Sequence, residues 1–328
     1  MSVPSEVEPV RRGRRARAQA AEERVHYSRW YWPSFTIPAT IWLAILFILP
    51  LYTVVSIAFG TVDPIFRGPL PVYEPWWWSG EQFGKVLNDS FGFYRIVYIH
   101  TFEYVVIASA ICLVLAYTVA YYVARYGGKR KTLLLLLLVA PFFISYLMRM
   151  LAWINLLAPG GYAARFLSAT HISDLLYHMG LLSQPNNYLG GESFTVIFAL
   201  IYGYIPYFIL PLYASLDRID RSHLEAARDL GASPFRAFWH VTLPLSKTGL
   251  LGGAVLIMLP MFGDYYTPNI VSGAPTTSMI GNQIDLYFHG GPQPTIGAAI
   301  TIILSAFLVV LMGYYMWTIH KSSKELVA

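Results

Sequence analysis

The sequence predicts an all-α membrane protein with six transmembrane helices, and three observations carry that expectation. Apolar residues make up 56% of the 328 residues and charged residues only 12%, with a mean hydropathy of +0.49; a soluble domain carries about a quarter charged residues. The apolar residues gather into six runs, at 36–58, 98–124, 133–157, 194–215, 249–271 and 296–318, each near the roughly 20 residues that cross a bilayer as a helix. The basic residues are distributed unevenly about those runs.

Taken from the N-terminus, the first 35 residues hold seven Arg, among them the cluster from Arg11 to Arg17, and read as a basic, disordered tail. The run at 36–58 is too long for the apolar stretch of a cleaved signal and lacks a cleavage site, so it is expected to remain as the first span. Trp76, Trp77 and Trp78 follow beside Pro75; they read as an interfacial anchor, with a ligand-stacking cluster as the alternative. Residues 158–193, with Pro159-Gly160-Gly161 and Asn186-Asn187, read as short surface helices between turns. Eighteen of the 23 basic residues fall in the N-terminal 35 residues, the loops 125–132 and 216–248, and the stretch after 318. The positive-inside bias therefore places both termini and the 216–248 loop in the cytoplasm. The layout is a tail at 1–35, a transmembrane domain at 36–320 and a C-terminal tail at 321–328. The net charge of +5 is read as orientation, with membrane lipid rather than nucleic acid as the partner.

Several chemistries are excluded. Cys112 is the single cysteine, which rules out an intrachain disulfide and a thiolate metal site. No His/Glu or Ser/His set recurs at ligand or catalytic spacing, so neither a metal site nor a catalytic residue is assigned. No G-x-x-x-x-G-K-[ST] phosphate loop is present, so the chain has no visible means of hydrolysing ATP.

The 216–248 loop is the most informative stretch. Ser222 with Glu225 reads as a capping box opening a helix that contains Leu224, Ala226, Ala227 and Leu230. Gly231 falls where a helix C-terminus takes a left-handed residue. Ser233 and Pro234 read as N-cap and first residue of a second helix, which carries Phe235, Phe238 and Trp239 and is expected to stop before Pro244. A small-residue helix and a tight turn suit docking into a groove on another protein; from the residues alone a solvated connector is equally open.

Residues 225–245, EAARDLGASPFRAFWHVTLPL, resemble the EAA loop of ABC importer permeases. Glu225, Ala226, Ala227, Gly231, Val241, Leu243 and Pro244 fill that pattern without a gap. The resemblance implies a type I importer permease fold whose loop is the coupling helix, inserted into a separate ATPase. It further implies a second, non-identical permease, two ATPase subunits holding ATP and Mg, an extracytoplasmic solute-binding protein, no cofactor on this chain, and a place in the bacterial cytoplasmic membrane. Residues 140–157, 204–220 and 259–284 are similar to the permeases of spermidine/putrescine importers, which implies a small organic cation as cargo. Related permeases that carry opines or thiamine-like compounds keep other solutes open. An ion-driven secondary transporter would show paired internal repeats, and none is visible.

Glu103, Arg149 and Asp264 fall inside spans. Each costs about 2.5–3.5 kcal/mol at a bilayer centre on insertion scales, which makes each a functional candidate; the span limits place all three in the outer half. Asp264 lies in Pro260-Met-Phe-Gly263-Asp264-Tyr265-Tyr266-Thr-Pro268. A span broken there exposes backbone, tolerated inside protein or along a water-filled cavity, and Pro206 and Pro211 are expected to break the fourth span likewise. The carboxylate of Asp264, with Tyr204, Tyr207, Tyr265 and Tyr266, forms a candidate cation path through cation–π attraction, and Glu103 is a second candidate. Arg149 is read as a structural charge that neutralises an acid; His100 and Cys112 are read as packing.

Overall fold

The computed structural model describes residues 30–88, 92–185, 187–289 and 293–325. The expectations for residues 1–29 of the basic tail, for Asn186 and for the last three residues lie outside them; residues 31–35 and 321–325, expected in the two tails, instead extend the first and last long helices. The chain divides into two units, 1–53 and 54–328. In the first lies most of α1 (Tyr31–Ala58), which runs through Pro38 and Pro50 without a break. The hydroxyls of Thr36, Thr40 and Thr53 each donate to a carbonyl three or four residues back, at 2.9–3.0 Å; in lipid such groups must be satisfied within the helix.

The second unit begins with a two-residue antiparallel ladder, β1 (Thr61–Val62) and β2 (Pro69–Leu70), and α2 (Glu81–Leu87). Between them Trp76 and Trp77 stay exposed, whereas Trp78 stacks on Phe59 at 4.6 Å and donates its indole N–H to the Val72 carbonyl at 2.9 Å. Then come α3 (Phe93–Tyr126), α4 (Lys131–Val139) and α5 (Tyr146–Leu157), the short α6 (Tyr162–Ala169) and α7 (Ile172–His178), and α8 (Ser193–Asp217). The 216–248 loop contains α9 (Arg221–Asp229), α10 (Pro234–Ala237) and α11 (Leu243–Leu245). Next are α12 (Lys247–Phe262), α13 (Tyr266–Val271), α14 (Ile280–His289) and α15 (Pro294–Glu325).

Among the described residues four helices, α1, α3, α8 and α15, are long and apolar enough to cross a membrane unaided, or up to six if each of two bent pairs is one span. The expected third span, 133–157, is not one helix. It tightens into a 3-10 turn at Ala140–Phe143 and breaks after it, where Gly128–Phe143 and Tyr146–Leu157 meet at 85°. Pro141 lies in that turn, and Ile144 and Ser145 are extended, so the i→i−4 ladder cannot continue. The expected fifth span, 249–271, ends as a helix at Phe262 and restarts at Tyr266. The fourth differs in the opposite sense: α8 continues through Pro206 and Pro211, both inside the helix, so no break forms there.

The core of this unit is built on α3. Val105, Ala108, Cys112, Ala116 and Ala120 form a stripe of mostly small residues that packs with Val196, Leu200, Phe208 and Leu212 of α8 and Ile257 and Met261 of α12. Small side chains let helix backbones approach closely. At Gly253 a Cβ would run into the Phe208 ring, and at Gly249 into Ser215.

Candidate functional site

Two sites emerge, one in the 216–248 loop and one at the break between α12 and α13. The loop starts at Asp220, whose carboxylate accepts from the Ser222 N–H at 3.1 Å. This corrects the expected cap at Ser222: the charged side chain two residues earlier reaches the positive helix end first. That bond holds the Asp220 carboxyl below its ordinary range. The helix closes in a Schellman turn, with Ala232 N–H donating to Ala227 at 3.0 Å and Gly231 N–H to Arg228 at 2.8 Å, and Gly231 at φ +80°. Ser233 caps the next helix, its hydroxyl accepting from Arg236 N–H at 3.3 Å, with Pro234 at its first position. That helix does not stop before Pro244. A π-turn at Phe238–Thr242 carries it into α11, where Pro244 sits in the first turn and its missing N–H leaves no gap, and the chain bends by 65° into α12.

The loop keeps its apolar side chains outside. Leu230 is 90% exposed, Phe235 71% and Trp239 50%, and α9 buries no residue at all. Glu225 and Ala226 lie on the open surface, Ala227 is half-buried, and Val241 and Leu243 turn partly inward beside the exposed Pro244. Large apolar groups displayed together mark a surface meant to be covered.

At the second site a cavity of about 670 Å³ is lined by Tyr146 of α5, Tyr204 and Tyr207 of α8, Leu256 and Pro260 of α12, and Asp264 and Tyr266. The Asp264 carboxylate holds the break together. One oxygen accepts from the backbone N–H groups of Tyr266 and Thr267, both at 3.0 Å, and so caps α13; the other accepts from Thr267 Oγ1 at 2.6 Å and from the Tyr204 hydroxyl at 3.1 Å. Because the Thr267 proton is given to Asp264, the Tyr146 hydroxyl, 2.5 Å from Thr267 Oγ1, is the donor there. The single charge of the cavity thus lies at the end of a network of tyrosine and threonine hydroxyls.

The structure brings Asp264, Tyr204, Tyr207 and Tyr266 together and leaves two of the expected path residues apart. Tyr265 is 43% exposed and does not line the cavity; its carbonyl accepts from Asn282 Nδ2 at 2.9 Å. Glu103 borders two other hollows, one apolar and one shared with His100 and Tyr104. The expected pairing of Arg149 with an acid is also corrected. Among the described residues no carboxylate lies within ion-pair reach of Arg149. Its guanidinium lies over Phe142 at 4.2 Å, with Tyr146 at 5.4 Å and Tyr202 at 5.7 Å. Asp264 is already supplied with four donors, and the 85° bend brings Phe142, which precedes it, back over Arg149, which follows it. Cation–π attraction to these three rings takes the place of an ion pair.

These features can be set against known proteins. The family described as "Binding-protein-dependent transport system inner membrane component" matches residues 113–320. The chain belongs to this family. It is a multi-pass membrane permease, a non-catalytic subunit of its transport system. The permease is 30% identical over 285 residues to the spermidine/putrescine transport system permease protein PotB of Escherichia coli (strain K12), covering 87% of this chain and 95% of that one. It is 31% identical over 274 residues to the protein of that name from Haemophilus influenzae, covering 84% and 89%. A chain of a bacterial alginate ABC transporter, solved in complex with an alginate pentasaccharide-bound periplasmic protein, matches with a TM-score of 0.65 at 15% identity, covering 87% of this chain and 92% of that chain. That likeness shows the ABC importer permease fold.

Sequence reasoning missed the α5 contribution to the permease cavity. Tyr146 forms a wall of both the cavity and the Arg149 cage, and Phe142 and Tyr202 complete the cage. The available signal was Tyr146 three residues before Arg149, one helical turn away; that Phe142, seven residues before it, also reaches the guanidinium only the bend shows.

Proposed function

We propose that this chain forms half of the inward pathway for a polyamine such as spermidine or putrescine in an ATP-driven importer, and that its 216–248 loop docks into a partner ATPase. The observation that carries the cargo reading is the cavity at the helix break: four tyrosines around one carboxylate, with no basic residue in its lining. Tyrosine faces attract ammonium groups, and a desolvated cation–π contact contributes about 2 kcal/mol. All four donors to Asp264 come from the protein, so an arriving ammonium is held mainly by rings and by the field of the carboxylate; contacts of that kind form and release readily, as passage requires. The names of the relatives point to the same cargo.

The coupling reading is supported by the exposed Leu230, Phe235 and Trp239 beside the Glu225-Ala226-Ala227 helix and its Gly231 turn. In this mechanism two partner ATPase subunits hold ATP and Mg. Their closure on ATP moves α9 and α10, and the spans rock open toward an extracytoplasmic binding protein; hydrolysis resets them. A second, related permease completes the pathway, with Glu103 a further candidate along it. Both termini and the loop face the cytoplasm. The loops 125–132 and 216–248 lie at one end of the molecule, joined by the Lys131–Asp217 ion pair, which supports that arrangement.

The test is radiolabelled spermidine uptake by proteoliposomes containing this chain co-expressed with a partner permease, ATPase and binding protein. ATP-dependent uptake that excess putrescine suppresses is expected. Transport of a neutral or anionic solute that spermidine does not inhibit would overturn the cargo assignment.

A further inference from the structure

Both ends of the 216–248 loop return to one stripe of α3. Tyr117, Tyr121 and Arg125 are four residues apart, so they stand above one another on a single helix face. At the first end, Arg125 Nη1 donates to the Ile219 carbonyl at 3.0 Å, in the short joint between α8 and α9. At the other end Phe238, the first residue of the π-turn, meets both tyrosine rings edge-on, at 5.3 Å and 81° to Tyr117 and at 6.1 Å and 82° to Tyr121. Tyr117 also shares a 2.9 Å hydrogen bond with the hydroxyl of Ser246, where the chain bends into α12. Ile219 and Ser246 are buried, whereas α9 between them buries no residue.

This arrangement bears on how a push on the loop reaches the membrane. The joint at 218–220 is not helical, and the connection at Ser246 is bent by 65°; a displacement passed along the backbone alone would be absorbed at these two places. A third helix gripping both joints by side chains prevents that. From α3 the path continues to the cavity, because α3 packs on α8 and α12 and its Ser109 hydroxyl lies 3.7 Å from the sulfur of Met261. Arg125 also keeps Nε and Nη2 buried with no acceptor among the described residues, a cost that a purely static anchor has no reason to carry.

Resting on the docking role assigned to the loop above, we infer that Tyr117, Tyr121 and Arg125 are positioning residues that convert movement of the ATPase-bound loop into movement of α3, and through it of the cavity wall. They touch neither cargo nor nucleotide; they act through Ile219, Phe238 and Ser246.

The experiment uses the assembled transporter in proteoliposomes. Three quantities are read: ATPase retained through purification, ATP hydrolysis in the presence of loaded binding protein, and spermidine taken up per ATP. Arg125→Gln and Tyr121→Leu are expected to retain the ATPase and hydrolyse ATP while uptake per ATP falls, about tenfold for Arg125→Gln, the scale of one charge-assisted hydrogen bond, and several-fold for Tyr121→Leu, which loses an edge-on ring contact. Arg125→Lys, which keeps a charged donor, restores most of it; a role in folding alone would not show this split between hydrolysis and uptake. Unchanged uptake per ATP in the Arg125→Gln/Tyr121→Leu double variant overturns the inference. Loss of the ATPase from these variants overturns it too, because the residues would then only support the docking surface. Retention of the ATPase by Gly231→Val would instead sink the docking role itself, so the two failures are told apart.

Discussion

Replacing Gly231 tests the loop at the residue where its two helices join. The residue sits at φ +80°, and the turn it forms is closed by the Ala232-to-Ala227 and Gly231-to-Arg228 hydrogen bonds at 3.0 and 2.8 Å. A Cβ built at this position meets nothing within 4 Å, so no steric clash adds to the cost and a substitution acts through the backbone alone. A left-handed conformation costs an ordinary L-residue roughly 1–2 kcal/mol, and a β-branched one sits at the upper end of the roughly 1–3 kcal/mol seen for strained backbone; Asn tolerates it best. Where the undocked turn relaxes and docking restores it, at 1.4 kcal/mol per factor of ten the dissociation constant of the ATPase should rise roughly five- to thirtyfold for Gly231→Ala, about a hundredfold for Gly231→Val, and only a few-fold for Gly231→Asn. Titration of the ATPase against the permease in nanodiscs measures this order directly. A Val variant within about twofold of wild type, less than 0.5 kcal/mol, would remove the turn from the docking surface. An Asn variant as weak as Val would show that positive φ is not the reason.

Four further outcomes follow from the same geometry. Asp264→Asn keeps an oxygen to accept from the Tyr266 and Thr267 N–H groups but turns an amide NH2 toward the Thr267 and Tyr204 hydroxyls, so stability should fall by about 1–3 kcal/mol while spermidine uptake by the folded protein falls several-fold; because no Arg149–Asp264 pair lies among the described residues, Arg149→Gln should rescue neither, and rescue would contradict the cage. Gly203→Ala would bring a Cβ to 2.7 Å from Cε2 of Tyr146 and should destabilise the fold by about 1–3 kcal/mol, whereas Gly252→Ala, whose Cβ meets only the Tyr315 hydroxyl at 3.5 Å, should be silent in the same melting experiment. The Asp220 carboxyl is held below its ordinary range by the Ser222 N–H, so its cap is present above the unfolded carboxylate range and is lost as pH falls through the lowered value; amide exchange in α9 should accelerate below about pH 4, and Asp220→Asn should flatten that dependence. With Cys112 replaced, cysteines at Ser79 and Gln184 should react with an impermeant reagent from outside, and those at Lys129 and Ser222 only after permeabilisation; the opposite pattern reverses the orientation.

The apolar runs, the basic bias and the EAA pattern were legible because each depends on composition or local spacing. A lipid-crossing helix needs enough apolar residues in a row, and a left-handed turn needs Gly where Gly231 stands. Breaks and cages were not legible in the same way. Pro206 and Pro211 leave α8 continuous, whereas the turn at Pro141 ends α4, and the two helices are equally apolar, so composition does not tell them apart. Asp264 and Arg149 both read as buried charges in search of partners. The sequence alone determined that such costly groups needed compensation, because charge in hydrocarbon always does. Only the tertiary structure decided that Asp264 takes four donors from its own helix break and a tyrosine of α8, and that Arg149 takes three rings, Phe142 across the 85° bend, Tyr146 of its own helix and Tyr202 of α8. Hydrogen bonds and ring contacts act over a few ångströms, and the residues that meet at this site come from helices up to about 120 positions apart.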